Sequence, residues 1–325
     1  MVGVDPRRAG PGARLLSRLG RAPTYLRTRA LRALNHLADR VETGRGGGEE
    51  PLGHPPLFVV GAPRSGSTLL CQVLVQAFDV GYLSNRHCRL WGAPSLVERL
   101  RHPAPPTSFS SRFGSTSGAG EPSECGPFWY RFFRRSPQYV PLEDVDPAQL
   151  HRLRAAIRAL GDAAGRPLVF KNLLCTLRLA PIGTALPEAV FVDIRRDLAA
   201  NAASLLAARR SIHGEYGAWW SAEPPEIDRL RTLPPHEQVV EQVRSLEALV
   251  DRDRERLGAQ RFLQMRYEAL CDEPQAAIDA VAGLAERNGF RLARRQAVPA
   301  KFERAGDTRL TPEIHERLVA YIAEH

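Results

Sequence analysis

The chain has 325 residues, of which 43% are hydrophobic and 25% charged, so it can bury the core of one large α/β domain or two small ones. No apolar run reaches the roughly 18 residues of a membrane span, and arginines interrupt the apolar stretch that a secretory signal would need. We therefore expect a cytoplasmic protein, with membrane association left open by its N-terminal segment.

The formal net charge of +9 is concentrated at the N-terminus. Residues 1–45 carry ten arginines against Asp5, Asp39 and Glu42, a balance of +7 that leaves +2 for the other 280 residues. A protein that works on nucleic acid normally spreads positive charge over its binding surface. We therefore expect no nucleic-acid partner.

The five cysteines are odd in number, widely separated and without the CxxC spacing of a redox or zinc motif. They are Cys71, Cys88, Cys125, Cys175 and Cys271. No neighbouring histidine completes a set of zinc ligands. We expect reduced, mostly buried thiols and no metal site.

Residues 11–43 predict one or two basic amphipathic helices, broken near Pro23. In the second helix one face is apolar at helical spacing. Its members are Leu26, Ala30, Ala33, Leu34, Leu37 and Val41. Two interpretations are open: an additional helix packed on the domain, or peripheral contact with an acidic membrane surface. Because a glycine-rich linker follows at Gly44–Pro56, the sequence predicts an extension at 1–50 and one domain at 51–325.

From residue 57 onward, short β-rich runs alternate with helical segments. Strands are predicted at 57–61, 80–83, 168–170, 189–194 and 261–267. Helices are predicted from the phosphate loop to about residue 78 and at 123–135, 147–162, 197–211, 236–257 and 275–288. The run 104–120, rich in Pro, Ser and Gly, predicts a mobile loop. The alternation indicates an α/β fold with a mostly parallel central sheet flanked by helices.

The segment FVVGAPRSGSTLL, from Phe58 to Leu70, combines a buried strand, a tight turn and a helix start. Its backbone N–H groups and the helix N-terminus surround one concavity, which is an anion-binding arrangement. Gly66 lets the backbone approach a phosphate where a Cβ would block it. The residues predicted to bind the anion are Pro63, Arg64, Ser65, Gly66, Ser67 and Thr68.

This loop differs from the nucleotide-triphosphatase pattern G-x-x-x-x-G-K-[ST] at one position. Gly61 and Gly66 match, but Ser67 stands where a lysine would bridge the β- and γ-phosphates, and the loop's cation is instead Arg64. This argues against ATP or GTP chemistry. The alternative is a phosphate-loop nucleotide-binding or kinase-like protein in which Asp193, on the strand AVFVD, holds magnesium.

Three motifs stand in the order known from the sulfotransferase family. PRSGST at 63–68 resembles the family's 5′-phosphosulfate loop. FVDIRRDLAANAASL at 191–205 resembles its 3′-phosphate motif, in which Arg196 is followed eight residues later by Ser204. MRYEALCDEP at 265–274 resembles its Tyr-Glu-x-Leu segment.

The resemblance covers about residues 56–290, with one departure at Leu198, where the family usually has proline or a small residue. It implies a sulfotransferase that moves a sulfonate group from 3′-phosphoadenosine-5′-phosphosulfate to a hydroxyl or amine. The acceptor would be a small molecule, a carbohydrate or a lipid, and no metal is implied. Arg196 and Ser204 would bind the 3′-phosphate.

Two cations are candidates to stabilise charge on the bridging oxygen during transfer: Arg64 in the loop and Lys171 at the end of LVFKN. Lys171 and Lys301 are the only lysines among 45 basic residues, which suggests that an arginine would not serve at position 171. The acceptor also needs a general base. The candidates are Glu124, beside the aromatic run 128–130, and His87, just past the second strand.

Overall fold

The computed structural model describes residues 24–43, 50–100, 107–304 and 310–325. Its centre is a five-stranded sheet in the order β2-β3-β1-β4-β5, in which every pairing is parallel. The strands are β1 Pro56–Val60, β2 Gly81–Tyr82, β3 Leu168–Lys171, β4 Val190–Arg195 and β5 Phe262–Arg266. The predicted α/β fold with a mostly parallel sheet is confirmed.

Thirteen α-helices lie in the described part of the chain. They are α1 Thr24–Thr43, α2 Ser67–Ala77, α3 Asn85–Arg89, α4 Pro94–Arg99, α5 Gly126–Trp129, α6 Pro147–Ala164, α7 Leu179–Ala185, α8 Leu198–His213, α9 Ile227–Leu230, α10 Pro235–Leu257, α11 Tyr267–Asp272, α12 Pro274–Arg287 and α13 Pro312–Glu324. Short 3-10 turns lie at Leu142–Asp144, Leu173–Arg178 and Ala259–Arg261. Within these residues no helix combines the length and hydropathy needed to cross a bilayer.

The predicted helix over 123–135 is wrong, because only the four residues of α5 are helical there. The chain then turns, and tertiary contacts hold the turn. Buried Arg178 donates from Nη2 to the Arg134 carbonyl at 2.8 Å and lies over the rings of Tyr130 and Phe133. These contacts override the local helical pattern.

One row of aromatic rings ties the sheet together. The parallel register places Phe58 of β1 opposite Phe170 of β3 and Phe191 of β4, and Phe191 opposite Phe262 of β5. Neighbouring ring centroids are 5.2, 5.6 and 4.8 Å apart. Such pairs contribute about 0.5–1.5 kcal/mol each beyond the area they bury. The row therefore fixes the relative height of four strands, and so the position of their carboxyl ends.

Helix α1 docks on the domain through its polar side. Asn35 Nδ2 donates to the Arg89 carbonyl at 3.0 Å, and Asn35 Oδ1 accepts from the Gly92 N–H at 2.8 Å. Asp39 pairs with Arg131, and Glu42 accepts two hydrogen bonds from Ser95. The predicted helix before Pro23 and the linker residues 44–49 lie outside the described residues.

We predict that Asn35→Ala lowers the free energy of unfolding by about 1–3 kcal/mol, because it leaves the buried Gly92 N–H without its acceptor. Equilibrium urea unfolding measures the change. Arg40→Ala, at an exposed position of the same helix, is the control and should change stability by less than about 0.5 kcal/mol. Equal stability of all three proteins would contradict the docking of α1.

Candidate active site

The phosphate loop begins where β1 ends, and two glycines let it lie close to its neighbours. A Cβ on Gly61 would be 2.5 Å from the Ile194 carbonyl oxygen of β4. A Cβ on Gly66 would be 2.3 Å from Cδ2 of Tyr267. Both residues have positive φ, of 141° and 98°. Thr176 Oγ1 accepts a hydrogen bond from the Gly61 N–H at 3.1 Å, so Thr176 fixes the start of the loop in addition to Ile194 and Tyr267.

Arg64 also has a positive φ, 66°, which is uncommon for a residue other than glycine. Its Nε donates to Ser204 Oγ at 3.1 Å, and its guanidinium lies 5.7 Å from the Phe113 ring centroid. Burial, and next the positive charge of Arg196, lower the pKa of Arg64. Two arginines held this close favour an anion between them.

Arg196 comes directly after β4, at the carboxyl edge of the sheet. Its guanidinium lies 4.8 Å from the ring centroid of Tyr267, the residue that follows β5. Asp197 caps α8, its Oδ1 accepting from the Ala200 N–H at 2.9 Å. The capped helix carries Ser204 two turns further on, where the hydroxyl meets Arg64. The 63–68 and 191–205 motifs therefore converge on one anion-binding cluster: Arg64, Arg196, Ser204 and Tyr267.

A nucleotide carrying two acidic groups fits this part of the cavity. The α2 N-terminus supplies backbone N–H groups, and the anion-binding cluster supplies two guanidinium groups. Ser65 is fully buried and is not among the residues that line the cavity, so the loop hydroxyls that line it are those of Ser67 and Thr68.

Lys171, at the end of β3, forms an ion pair with Glu124. The Glu124 backbone carbonyl is fixed in turn, because it accepts from Asn172 Nδ2 at 2.8 Å and from Trp129 Nε1 at 3.1 Å. The Lys171 side chain is 8% exposed and that of Glu124 is 35% exposed, so the carboxylate is the member open to the cavity.

Three polar side chains converge beside Gly114. A Cβ built on Gly114 would lie 3.6 Å from Glu124 Oε1, 3.6 Å from Lys171 Nζ and 3.8 Å from Thr68 Oγ1. The hydroxyl at the start of α2, an ammonium and a carboxylate thus surround one small space. We call these three side chains the transfer centre.

The transfer centre lines a cavity of about 710 Å³ together with Arg64, Arg196 and Tyr267 of the anion-binding cluster, whereas Ser204 is buried outside the lining. Two aromatic pairs form part of its wall: Phe109 with Phe302, at 5.1 Å, and Phe113 with Trp220, at 6.1 Å between ring centroids. Phe109 and Phe113 have φ of 50° and 51°, a region that bulky side chains avoid. Backbone strain of this kind, about 1–3 kcal/mol per residue, is concentrated at functional sites.

His87 does not line this cavity. It is fully buried, and its Nδ1 accepts from the Ser84 N–H at 3.1 Å, which leaves the ring proton on Nε2. That nitrogen lies 3.3 Å from Glu98, which also pairs with Arg166. His87 therefore fixes the start of α3, and the geometry gives no support to its candidacy as the acceptor's base.

Asp193 is occupied in a structural network. Its carboxylate accepts from Arg195 Nε at 2.7 Å, and Arg195 also pairs with Asp251. Burial raises the pKa of Asp193 although Arg195 opposes the shift. Asp193 does not line the cavity, and no group of three metal-ligating side chains occurs among the residues described. The magnesium-binding alternative is not favoured.

Of the predicted donor-site residues, all except Ser65 and Ser204 line the cavity, and Ser204 is bonded to one that does, Arg64. Of the predicted catalytic side chains, Arg64, Lys171 and Glu124 line it. No pattern in the sequence indicates which residues form the cavity walls. These missed residues are Phe109, Phe113, Gly114, Trp220 and Phe302. Their aromatic composition was visible, but nothing in their spacing indicates that distant loops meet. Of the predicted mobile loop, residues 107–120 are described and contribute the wall; its mobility stays a prediction.

The fold and its loop place the chain in the class of phosphate-loop α/β proteins. The model of the sulfotransferase family matches residues 55–287, so the chain belongs to that family. It is 27% identical over 265 residues to omega-hydroxy-beta-dihydromenaquinone-9 sulfotransferase Stf3 of Mycobacterium bovis and of Mycobacterium tuberculosis. The match covers 74% of this chain, which spans 65% of the length of these curated relatives.

The crystal structure of sulfotransferase STF9 from Mycobacterium avium is similar in fold, with a TM-score of 0.51 and 19% identity. The comparison covers 100% of this chain and 84% of that one. At this level of identity, the likeness bears on the fold alone.

Proposed function

We propose that this protein is a sulfotransferase that transfers a sulfonate group from 3′-phosphoadenosine-5′-phosphosulfate to a hydroxyl group of its acceptor. The observation that carries the proposal is the transfer centre, which shares one cavity with the phosphate loop and with Arg64, Arg196 and Tyr267 of the anion-binding cluster. Membership of the family supports the reaction class. Serine in place of the lysine of triphosphatase loops supports a donor without a γ-phosphate.

The donor, when bound, supplies an activated sulfonate group on its 5′-phosphate. The loop N–H groups and the α2 N-terminus hold the 5′ end, because they present partial positive charge to it. Arg196 and Ser204 hold the 3′-phosphate. The bond from Arg64 to Ser204 supports assigning Arg64 to the same phosphate, a role that differs from the bridging-oxygen role expected from its place in the loop.

Lys171 and Glu124 have complementary roles at the transfer centre. The Lys171 ammonium stabilises the negative charge that develops on the bridging oxygen. Glu124 accepts the proton of the acceptor hydroxyl, since its carboxylate is the exposed member of the ion pair. Thr68 Oγ1 donates to the group in transfer. Each role needs only a short movement of groups that already surround Gly114.

The walls of the cavity combine aromatic and polar side chains. The two aromatic pairs provide hydrophobic surface on which an apolar part of the acceptor can pack, among polar lining residues such as Gln72, Asn85 and Ser110. Because the curated relatives are named for an omega-hydroxy menaquinone derivative, a hydroxylated isoprenoid lipid is the acceptor we propose to try first.

Transfer of labelled sulfonate to a panel of hydroxylated lipids, aromatic compounds and sugars tests the proposal. The kinase-like alternative is tested by calorimetry with adenosine 3′,5′-bisphosphate and with ATP. Tight binding of the bisphosphate and weak binding of ATP is the expected result. The opposite preference, together with phosphoryl transfer, would refute the proposal.

The assignment of Arg196 and Ser204 to the 3′-phosphate is tested by removing each side chain. Arg196→Ala and Ser204→Ala should each weaken binding of adenosine 3′,5′-bisphosphate by about 10–100-fold, as one or two lost charge-assisted bonds require. Binding of AMP should change much less. Arg210→Ala, an exposed arginine on the same helix α8 as Ser204, is the matched control. Equal losses for both nucleotides would contradict the assignment.

The proposed transition-state role of Lys171 is tested by substituting that lysine. Lys171→Ala should lower kcat by about 10²–10³, the loss typical of one donor that acts in the transition state. Lys171→Arg should recover little, because a planar guanidinium does not replace a compact ammonium in a confined site. Lys301→Ala, which removes the chain's other lysine, is the control in steady-state assays. Full activity of Lys171→Arg would remove the catalytic role.

The space beside Gly114, at the transfer centre, is tested by filling it with a methyl group. Gly114→Ala should reduce kcat/KM by about 10²-fold, because its methyl group fills the position where the acceptor must approach. Gly214→Ala is matched to it, with φ of 81° against 87° and no atom within 4 Å of the added Cβ. Both variants should lose similar stability in thermal unfolding. If both also lose similar activity, backbone strain is the cause and the assignment of this space fails.

A further inference from the structure

Helix α1 presents an apolar stripe to the outside of the protein. Leu34, Leu37 and Val41 are 54%, 61% and 58% exposed, and Ala30 is also exposed. These positions follow the spacing i, i+4, i+7, i+11, which places them on one line along the helix. We call them the α1 stripe. An exposed line of large aliphatic residues is not what a helix packed on a globular domain normally shows, and it marks an interaction surface.

The docking of α1 explains why the stripe is free of the domain. Asn35, Asp39 and Glu42, spaced i, i+4 and i+7, make the contacts with the α3–α4 region and with Arg131. Leu34 and Val41 each precede one of these polar residues by one position, and Leu37 precedes Asp39 by two, so at about 100° per residue the stripe is turned away from the docked side. The helix is therefore held by specific polar contacts on one side while its hydrophobic side faces outward.

The charge beside the stripe is positive. Arg32 and Arg40 are exposed on the same helix, whereas both acidic residues of α1, Asp39 and Glu42, are engaged with the domain. The sequence preceding α1 adds five further arginines, against one aspartate, within residues 1–23. Aliphatic side chains flanked by arginines fit an anionic lipid surface, since the stripe enters the acyl boundary while the guanidinium groups meet the head groups.

Helix α4 extends the apolar surface. Glu42, near the end of α1, holds Ser95 of α4, and the next residue, Leu96, is 54% exposed. Leu100, at the end of α4, is 70% exposed. Two helices joined by this contact therefore both expose large aliphatic side chains.

We propose that the α1 stripe, with Leu96 and Leu100, is a docking surface for an anionic lipid bilayer, on which α1 lies parallel to the membrane plane. Only the short helix α3 separates this surface from the cavity. Asn85, at the start of α3, lines the cavity. Arg89, at the end of α3, accepts the hydrogen bond from Asn35 of α1. This position would suit a lipid acceptor. The docking surface does not rest on the proposed activity, and its test measures binding alone.

The test is co-sedimentation of the full chain with vesicles of phosphatidylglycerol and phosphatidylcholine, and with vesicles of phosphatidylcholine alone. The wild-type protein should bind the anionic vesicles at least about tenfold more strongly. The triple variant Leu34→Gln/Leu37→Gln/Val41→Gln should lose at least about tenfold of that binding, since it keeps every arginine but removes the apolar contact. Ile212→Gln/Val319→Gln, which removes exposed aliphatic residues elsewhere, is the control and should bind like wild type.

Each other outcome overturns the proposal. Undiminished binding by the triple variant would mean that the N-terminal arginines act alone. If the wild-type chain does not bind vesicles, the stripe is not a membrane-docking surface: either residues 1–23 cover it or it stays exposed to solvent. A wild-type dimer that the triple variant converts to a monomer in analytical ultracentrifugation, without vesicle binding, would assign the stripe to a second copy. Circular dichroism of the triple variant verifies that α1 is still folded.

Discussion

The close approach of β1 to β4 at the carboxyl edge of the sheet is the constraint on which the site depends. Gly61 has no Cβ because the Ile194 carbonyl occupies that direction, and Arg196 stands two residues beyond Ile194. The loop after β1 and the arginine after β4 are therefore neighbours by construction. Tyr267, directly after β5, fills the remaining side by packing on Gly66 and under Arg196. Open parallel sheets bind ligands at this edge for the same reason.

The cations of the site lie in two separate groups, because the strands that carry them end on different sides of β1. Arg64 and Arg196 lie together with Ser204, where fixed charge can hold a phosphate before and during a reaction. Lys171 lies at the end of β3, on the other side of β1, where it meets Glu124 and Thr68. Such preorganised charge costs folding free energy, as does the positive φ of Phe109 and Phe113. The aromatic row across the sheet contributes part of the stability that offsets these costs.

The parts of the site that the sequence predicted are those encoded by consecutive residues. The loop at 63–68 and the Arg196–Ser204 pair could be recognised because a strand, a turn and a helix start fix their geometry locally. Lys171, which lines the cavity, was singled out by its rarity and its place at a strand end, and its catalytic role stays a prediction. The wall of the cavity could not be found, since Phe109 meets Phe302 and Phe113 meets Trp220 only after the whole chain has folded. The burial of His87 outside the cavity could not be foreseen either, because its proximity to a strand end says nothing of its partner Glu98.

The orientation of α1 shows a further limit of hydrophobic periodicity. An apolar stripe at helical spacing normally predicts the face that packs on the domain. The same helix carries a second periodic set, Asn35, Asp39 and Glu42, and buried polar groups hold a helix when each one finds a partner of its own. Here each of the three does so, through Gly92, Arg131 and Ser95. Periodicity identifies both faces equally well. The availability of matching polar partners on the domain decides which one turns inward, and the apolar face stays exposed in the described part of the chain.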